Sequence, residues 1–373
     1  MESNPEQIAA LVVGSGFVIA FVFGLVAAKS NFCTMGALAD IVNMGHWGRM
    51  RMWLLAAAVA IAGTALLSYS GQVDLSKSVA QRPSLPWLSL ALGGLLFGVG
   101  MTLAGGCANK NLVRAGGGSV RSLVVLTFVA IASYMTLKGL FGHWRARWLD
   151  PLRIDLGARG WADQGLDTAL AQATGIDPKA ALLGVAAAIA LALAAFVFKD
   201  RRFRANGVQV GSAIVLGLLV VAGWYVTGHL GFGENPDTLE NMFFATNTRT
   251  LESLSFVAPL AYTLELMMLW TDASLRLTFG IASVLGVAAG SLAYALASAK
   301  FRWEGFASVA DLRNQLAGAV LMGFGGVTAL GCTIGQGLSG LSTLAIGSFL
   351  AVGGIVAGSV ATLKWMLRQA ERA

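Results

Sequence analysis

Charged residues are scarce in this sequence. Only 12% of its 373 residues are Asp, Glu, Lys or Arg, whereas 56% are hydrophobic, and a soluble domain carries about 25% charged residues. This shortage excludes an ordinary soluble enzyme, and the high apolar content excludes a disordered chain. The net charge of +7 does not indicate nucleic-acid binding, because excess Lys and Arg in a membrane protein mark its cytoplasmic loops. The composition predicts an all-α integral membrane protein embedded in a lipid bilayer.

Cysteine and histidine are also rare. The three cysteines, Cys33, Cys107 and Cys332, lie far apart in the chain, and the three histidines show no metal-ligand spacing. Without a CxxC pair, the sequence predicts neither a disulfide scaffold nor a zinc or haem motif. We therefore expect no metal site and no cofactor. Residues 1–7 contain no Lys or Arg, so a cleavable signal peptide is not expected.

Long apolar runs dominate the rest of the sequence. A hydrocarbon core needs about 20 apolar residues per helix. On this basis nine spans are predicted, at 8–28, 52–70, 87–105, 122–141, 180–198, 207–230, 277–297, 314–331 and 343–363. Two shorter stretches, 30–46 and 254–271, are predicted to be re-entrant or interfacial helices. Most of the 26 Lys and Arg residues fall on one side if the N-terminus is periplasmic and the C-terminus cytoplasmic, which is the orientation that we expect.

Two glycine-rich segments form an internal repeat. The shift that places Cys107 on Cys332 also pairs Gly106 with Gly331. The predicted spans before these cysteines run in opposite directions, so the two halves are expected to be inverted, as in many secondary transporters. The predicted domains are a first membrane repeat (1–141), an extramembrane and partly helical loop (142–179), a connecting transmembrane helix with an inner loop (180–206) and a second, inverted membrane repeat (207–373).

The candidate functional sites are the points where apolar helices break. Gly106-Cys107 and Gly331-Cys332 each follow an apolar helix and precede a glycine-rich polar stretch, and Cys33 lies at a third predicted break. Broken backbone at membrane depth is tolerated only where protein or water covers it. Its free N–H groups can then face an anion. The alternative is that the cysteines are small core residues and that the glycines serve packing.

Polar residues beside these breaks complete the candidate substrate path. Lys110 follows Cys107 on the predicted inner side, where it either attracts anions or only marks the topology. Gln336 either donates a hydrogen bond to the substrate or caps a helix. The same two roles are open for Asn31, which lies near Cys33 in the sequence. Glu265 lies in an apolar stretch, where an ionisable group suggests function. Because a carboxylate would repel an anion, we expect Glu265 to form a structural pair with a Lys or Arg.

The chain resembles the YeeE/YedE family of bacterial inner-membrane thiosulfate transporters in three segments, SNFCTMGALAD, GMTLAGGCANKNLVRAGGGS and GVTALGCTIGQGLSG. The resemblance covers most of the chain and includes all three cysteine motifs. It implies an hourglass-shaped protein with short helices entering from both faces. It also implies that Cys33, Cys107 and Cys332 line a narrow path and contact thiosulfate in turn. The implied partner is a small cytoplasmic sulfur-carrier protein of the TusA type, fused or separate, and these 373 residues contain no such domain.

The sequence thus predicts a transporter that imports thiosulfate, and not an enzyme. Thiosulfate is a small dianion with a soft terminal sulfur. A protonated thiol can donate a weak hydrogen bond to that sulfur. Conduction needs weak binding that is spread over several sites. Substrate is expected to enter near Cys332 and to leave near Cys107, with Cys33 on the path. Two alternatives stay open: a transporter of another sulfur- or selenium-containing anion, and a membrane thiol oxidoreductase or sulfurtransferase.

Overall fold

A computed structural model shows that most of the described residues are helical and that very few are in strands. It describes residues 5–235 and 239–371. Residues 1–4, 236–238 and 372–373 lie outside the described part, so the expectations for the two chain ends fall partly outside it.

Fifteen α-helices make up most of the described residues. They are α1 (Pro5–Ser30), α2 (Thr34–Met44), α3 (Gly48–Tyr69), α4 (Trp87–Leu103), α5 (Ala108–Gly116), α6 (Val120–Lys138), α7 (Leu140–Trp144), α8 (Leu166–Thr174), α9 (Pro178–Phe198), α10 (Arg201–Ala205), α11 (Gly207–Tyr225), α12 (Val257–Met268), α13 (Phe279–Ala297), α14 (Val309–Thr328) and α15 (Ile346–Ala370). Two short antiparallel hairpins pair β1 (Ser84–Leu85) with β2 (Ile154–Asp155) and β3 (Phe232–Glu234) with β4 (Asn241–Phe243). A π-helical turn, Gly335–Gly340, precedes α15.

The long helices confirm the prediction of a multi-pass helical membrane protein. Within the described residues, 8 segments are long and apolar enough to cross a membrane, one fewer than the nine predicted spans. The difference is α14, which covers most of the predicted span 314–331 with 20 helical residues. Its first turns carry Asp311, Arg313 and Asn314. These polar residues lower the mean hydropathy of the helix, although its length is sufficient to cross a membrane.

Two short apolar helices lie where the sequence predicts segments that do not cross. Helix α2 has 11 residues and α12 has 12 residues. At about 1.5 Å per residue, neither reaches across a hydrocarbon core of about 30 Å. Both helices are largely buried on one side, α2 against α3 and α12 against α6 and α13. They are therefore held inside the helical bundle by protein contacts.

Glycine allows the central helices to approach closely. Helix α4 packs against α14 and α15. A Cβ atom at Gly100 would overlap the Gly318 carbonyl oxygen of α14, and one at Gly318 would overlap the Gly100 carbonyl oxygen. At Gly98 the added atom would overlap the Ile355 carbonyl oxygen of α15. Such backbone-to-backbone contact is typical of membrane helices, which associate through small residues.

The elements follow the same order in the two parts of the chain. In the first part, α4 leads through the break at Cys107 into the short helix α5 and then into α6. In the second part, α14 leads through the break at Cys332 into the π-helical turn and then into α15. The reciprocal contact between Gly100 and Gly318 lies where α4 crosses α14. The boundaries of the two repeats stay a prediction.

The segment 142–179 is partly helical, as expected, and it is attached to the bundle. Strand β2 in this segment pairs with β1, just before α4. The Leu166 N–H donates to the Leu344 carbonyl oxygen at 3.1 Å, and the Ile346 N–H donates to the Gln164 carbonyl oxygen at 2.9 Å. The segment therefore covers the part of the protein that follows the break at Cys332.

Candidate functional site

The helix breaks that precede Cys107 and Cys332 have the same backbone construction. Each helix ends on a residue in the left-handed region, Gly105 with φ 68° and Leu330 with φ 58°. The next N–H, at Gly106 or Gly331, donates to the carbonyl group five residues earlier, at 2.9 and 2.8 Å. This is the hydrogen-bond pattern of a Schellman motif, which ends a helix and satisfies its last carbonyl groups. The breaks that the sequence predicts at both glycines are therefore present.

Each cysteine lies at the start of a short helical segment and is buried. Cys33 caps α2, where its Sγ accepts from the Gly36 N–H at 3.3 Å. Cys332 Sγ accepts from the Gly335 N–H at 3.5 Å. Cys107 caps α5 without a side-chain hydrogen bond to the helix. The exposed fraction is 5% for Cys33, 1% for Cys107 and 0% for Cys332. All three are free thiols.

The fold brings the three breaks together. The Cys33 thiol group lies next to the Cys107 thiol group, although the two residues belong to different helices. The side chain of Thr333, which follows Cys332 in the chain, lies next to Cys107 on the other side. Thus Cys33, Cys107 and Thr333 form a continuous polar row, which we call the thiol row. Sequence reasoning placed all three cysteines at breaks but did not identify Thr333.

Positive charge and amide groups surround the Cys33 end of the thiol row. Lys110 Nζ donates to Asn31 Oδ1, and its charge acts on both Cys33 and Cys107. The Lys110 stem also packs on Gly106, where an added Cβ atom would lie 3.2 Å from Lys110 Cβ. Two of the predicted path residues, Asn31 and Lys110, therefore contact each other beside the thiols, in a position to attract an anion.

The two repeat-related amides stabilise the breaks. Gln336 Nε2 donates to the Ala329 carbonyl oxygen at 2.7 Å, and Asn111 Nδ2 donates to the Gly106 carbonyl oxygen at 2.9 Å. Of the two roles left open for Gln336, its amide nitrogen serves the capping role. Its Oε1 atom is buried without a hydrogen-bond partner among the described residues.

Two cavities open beside the break at Cys332. Their volumes are about 290 and 310 Å³, and Arg82, Arg145, Leu330 and Gln336 line both. The side chain of Arg145 also contacts Asp150, with Nε to Oδ2 at 3.2 Å. The sequence gives no signal for these arginines, because they lie in connecting segments and reach the break only through the packing of 142–179.

A carboxyl group lines the larger cavity as well. Glu252 Oε1 is buried without a hydrogen-bond partner among the described residues, and the Asn247 backbone N–H donates to the carboxyl group. Tyr262, Arg82 and Arg145 are the other ionisable groups of that cavity wall. Burial raises the pKa of Glu252 to about 8, so the carboxyl group is mainly neutral at pH 7. Sequence reasoning did not single out Glu252.

Glu265 forms the structural ion pair that the sequence predicts. Lys138 Nζ lies 2.5 Å from Glu265 Oε1, and the Tyr134 hydroxyl group donates to the same oxygen at 3.5 Å. This pair joins α12 to α6. Elsewhere in the described residues, no group of His, Cys, Asp and Glu side chains is arranged to hold a metal ion.

Fold and site together define the class of the protein. It is a multi-pass helical membrane protein with broken helices, which is the construction of many secondary transporters. The chain belongs to the sulphur transport family, whose model matches residues 29–361.

Two curated relatives are similar to the chain over most of its length. One is the thiosulfate transporter TsuA of Spirochaeta thermophila, which is 24% identical over 365 residues, covering 95% of this chain and 99% of the relative. The other is the thiosulfate transporter TsuA of Escherichia coli, which is 25% identical over 338 residues, covering 87% of this chain and 86% of the relative. Both relatives are named as transporters, which agrees with transport rather than enzymatic catalysis.

Proposed function

We propose that this protein imports thiosulfate across the bacterial inner membrane along a path that contains Cys332, Cys107 and Cys33. The observation that carries the proposal is the thiol row, in which buried groups from three separate helix breaks lie side by side. The names of the two relatives support thiosulfate as the substrate. Another sulfur- or selenium-containing anion is the nearest alternative substrate.

The cavities beside the break at Cys332 suit a small dianion. Arg82 and Arg145 in the cavity walls raise the local concentration of anions by electrostatic attraction. A protonated thiol then offers the terminal sulfur of thiosulfate a weak and reversible hydrogen bond. Because conduction requires sites that bind weakly enough to release, successive thiols are better suited to transport than one strong cationic site.

The orientation follows from the charge distribution. We infer a periplasmic N-terminus and a cytoplasmic C-terminus, with the two cavities on the periplasmic side and Lys110 on the cytoplasmic side. The shared order of elements supports two inverted repeats, 1–141 and 207–373, joined by the loop 142–179 and the connecting segment 180–206. Substrate leaving near Cys33 and Cys107 would meet a cytoplasmic acceptor, for which a TusA-type sulfur-carrier protein is our proposed partner.

One observation favours a second function. Cys33 and Cys107 lie next to each other, as the two thiols of a dithiol oxidoreductase do, and a single cysteine among them could carry a persulfide in a sulfurtransferase. A disulfide bond or a persulfide that forms at these residues during turnover, detected by mass spectrometry of protein isolated with blocked thiols, would support that function. Transport through reversible contacts leaves both residues as free thiols.

The test is uptake of radiolabelled thiosulfate by cells that lack their own sulfate and thiosulfate permeases. The cells express the parent or the variants Cys33→Ala, Cys107→Ala and Cys332→Ala at equal membrane levels. Ser283→Ala is the matched control, because Ser283 is buried in α13 and donates within its own helix. We expect uptake by the parent and the control and its loss in the cysteine variants. Parent cells that take up no more than cells without the protein would contradict the proposal.

A further inference from the structure

Each cysteine has a neighbouring buried polar side chain whose hydrogen bonds are not satisfied. Thr34 follows Cys33, Asn109 lies two residues after Cys107, and Thr333 follows Cys332. These three residues are 5%, 1% and 2% exposed, respectively. Thr34 Oγ1 and both amide atoms of Asn109 are buried without a hydrogen-bond partner among the described residues, and Thr333 Oγ1 has only the neighbouring Cys107 thiol, a weak hydrogen-bonding group. Buried polar groups are rarely left in this state.

Several other buried polar side chains at the breaks and in the long helices do find partners. The hydroxyl groups of Thr102, Thr227 and Thr328 each donate to the carbonyl oxygen four residues earlier in the chain. Asn111, two residues from Asn109, donates to backbone carbonyl groups. The unsatisfied groups are therefore not explained by a lack of acceptors in the interior. They differ from other unsatisfied side chains, such as Thr64 in α3, because they lie beside the three cysteines.

The chemistry of these groups complements that of the thiols. A thiol is a weak donor suited to soft sulfur, whereas a hydroxyl or amide N–H donates well to oxygen. Thr333 lies beside the Cys107 thiol, so donors of both kinds are adjacent. An anion with a terminal sulfur and several oxygens can use both at once.

We propose, on the basis of the thiosulfate transport described above, that Thr34, Asn109 and Thr333 are substrate-binding residues that donate hydrogen bonds to the oxygen atoms of the anion while the thiols contact its sulfur. Selectivity then has two parts. The thiols distinguish thiosulfate from sulfate, and the three polar residues distinguish an oxyanion from sulfur species that lack oxygen. Moving from one break to the next, the anion exchanges one pair of donors for another.

The proposal is tested by substitutions that keep the shape and remove the donor. The variants are Thr34→Val, Thr333→Val and Asn109→Leu, with Asn109→Asp as a second change that also adds a repelling charge. Thr64→Val is the matched control, because Thr64 in α3 is also buried and unsatisfied but follows no cysteine. Two quantities are measured: the KM for thiosulfate uptake and the Tm of the protein purified in detergent.

We expect the KM to rise about tenfold or more in each variant at the breaks, because each loses a hydrogen bond to a charged ligand. The Tm of Thr34→Val and Thr333→Val should equal or exceed that of the parent, since an unsatisfied buried group is removed. Thr64→Val should keep the parental KM. A KM within about twofold of the parent in the break variants, or a clear fall in Tm from Thr→Val, would overturn the proposal. Absence of uptake by the parent would instead overturn the transport function itself.

Discussion

The breaks at Cys107 and Cys332 share their backbone but differ in their surroundings. Both end a helix on a left-handed residue, and both are stabilised by an amide that donates to a carbonyl group of the break. Around Cys107, however, the space is filled by Cys33, Lys110 and Thr333. The break at Cys332 instead lies beside cavities of about 290 and 310 Å³.

The groups that make this difference come from segments without a counterpart in the repeat. Arg145 belongs to the loop 142–179, and Glu252 lies in the long connection before α12. The helices α4 and α14 thus end in two breaks of the same construction, and connecting segments place arginine side chains beside one of them. On the proposed path, this difference favours entry of the anion from the side of Cys332.

Substitution of Cys107 should have the largest effect, because this thiol lies between the other members of the row. On the proposed path every anion passes this thiol, so we expect Cys107→Ala to lower thiosulfate uptake by about 100-fold or more. Cys332→Ala, at the open break, should have a smaller effect. Uptake rates at equal membrane levels test this order. Equal and small losses in both variants would show that the thiols do not differ in role.

Removing the cavity arginines should change affinity more than maximal rate. We expect the double variant Arg82→Ala with Arg145→Ala to raise the KM about tenfold at low salt, because the anion loses its electrostatic attraction. The difference from the parent should shrink at high ionic strength, where such attraction is screened. Arg276→Ala, at an exposed position between α12 and α13, is the control. A KM difference that is independent of salt would contradict this role.

The neutral state of Glu252 predicts a pH dependence. Because burial raises its pKa to about 8, the carboxyl group is mainly protonated below pH 8 and ionises above it, adding negative charge to the larger cavity. Uptake should therefore fall severalfold between about pH 7 and pH 9, and Glu252→Gln should remove that fall. Glu240→Gln, at an exposed position in the same connection, should keep the parental profile. Identical pH profiles for the parent and Glu252→Gln would exclude this carboxyl group as the cause.

The smallest expected effects are changes in stability at Gly105 and Leu330, the two residues with left-handed backbone at the breaks. Gly105→Val should destabilise the protein by about 1–2 kcal/mol, because a side chain at φ 68° is strained. Leu330→Gly removes that strain but adds conformational freedom to the unfolded chain, so it should change stability by less than about 1 kcal/mol. Unfolding measured in detergent checks both. A larger cost at Leu330 would mean that its side chain, rather than the backbone, holds the break.

Much of this architecture could be predicted from the sequence. Apolar runs near 20 residues admit few structures other than membrane helices, and the glycine-cysteine pairs marked the points where those helices end. The predicted pair of Glu265 with a cation was confirmed, because a buried carboxylate needs a partner. The predicted spans and the 8 apolar segments of the described residues differ only at α14, whose polar start lowers its mean hydropathy although its 20 residues are long enough to cross.

The side-chain neighbourhood of the breaks could not be predicted in the same way. Thr333 and Cys107 are more than 200 residues apart, and their proximity depends on how α4 and α14 cross. Arg82 and Arg145 lie in segments that connect the helices, where an arginine ordinarily indicates only a loop exposed to water. Spacing along one helix gives no information on contacts of this kind, which arise from packing between distant elements.

The central claim, that thiosulfate passes along the thiols, is tested most directly by protection of the cysteines. Purified protein in detergent is treated with a small thiol-reactive methanethiosulfonate reagent, and the labelling rate of each cysteine is followed by mass spectrometry. Rates are taken relative to a free-cysteine reference peptide in the same tube, which corrects for reagent that thiosulfate itself consumes. The account predicts that thiosulfate slows labelling of Cys332 and Cys107 relative to this reference in proportion to its occupancy, whereas chloride of equal ionic strength does not. Labelling rates that are unchanged at saturating thiosulfate would contradict it.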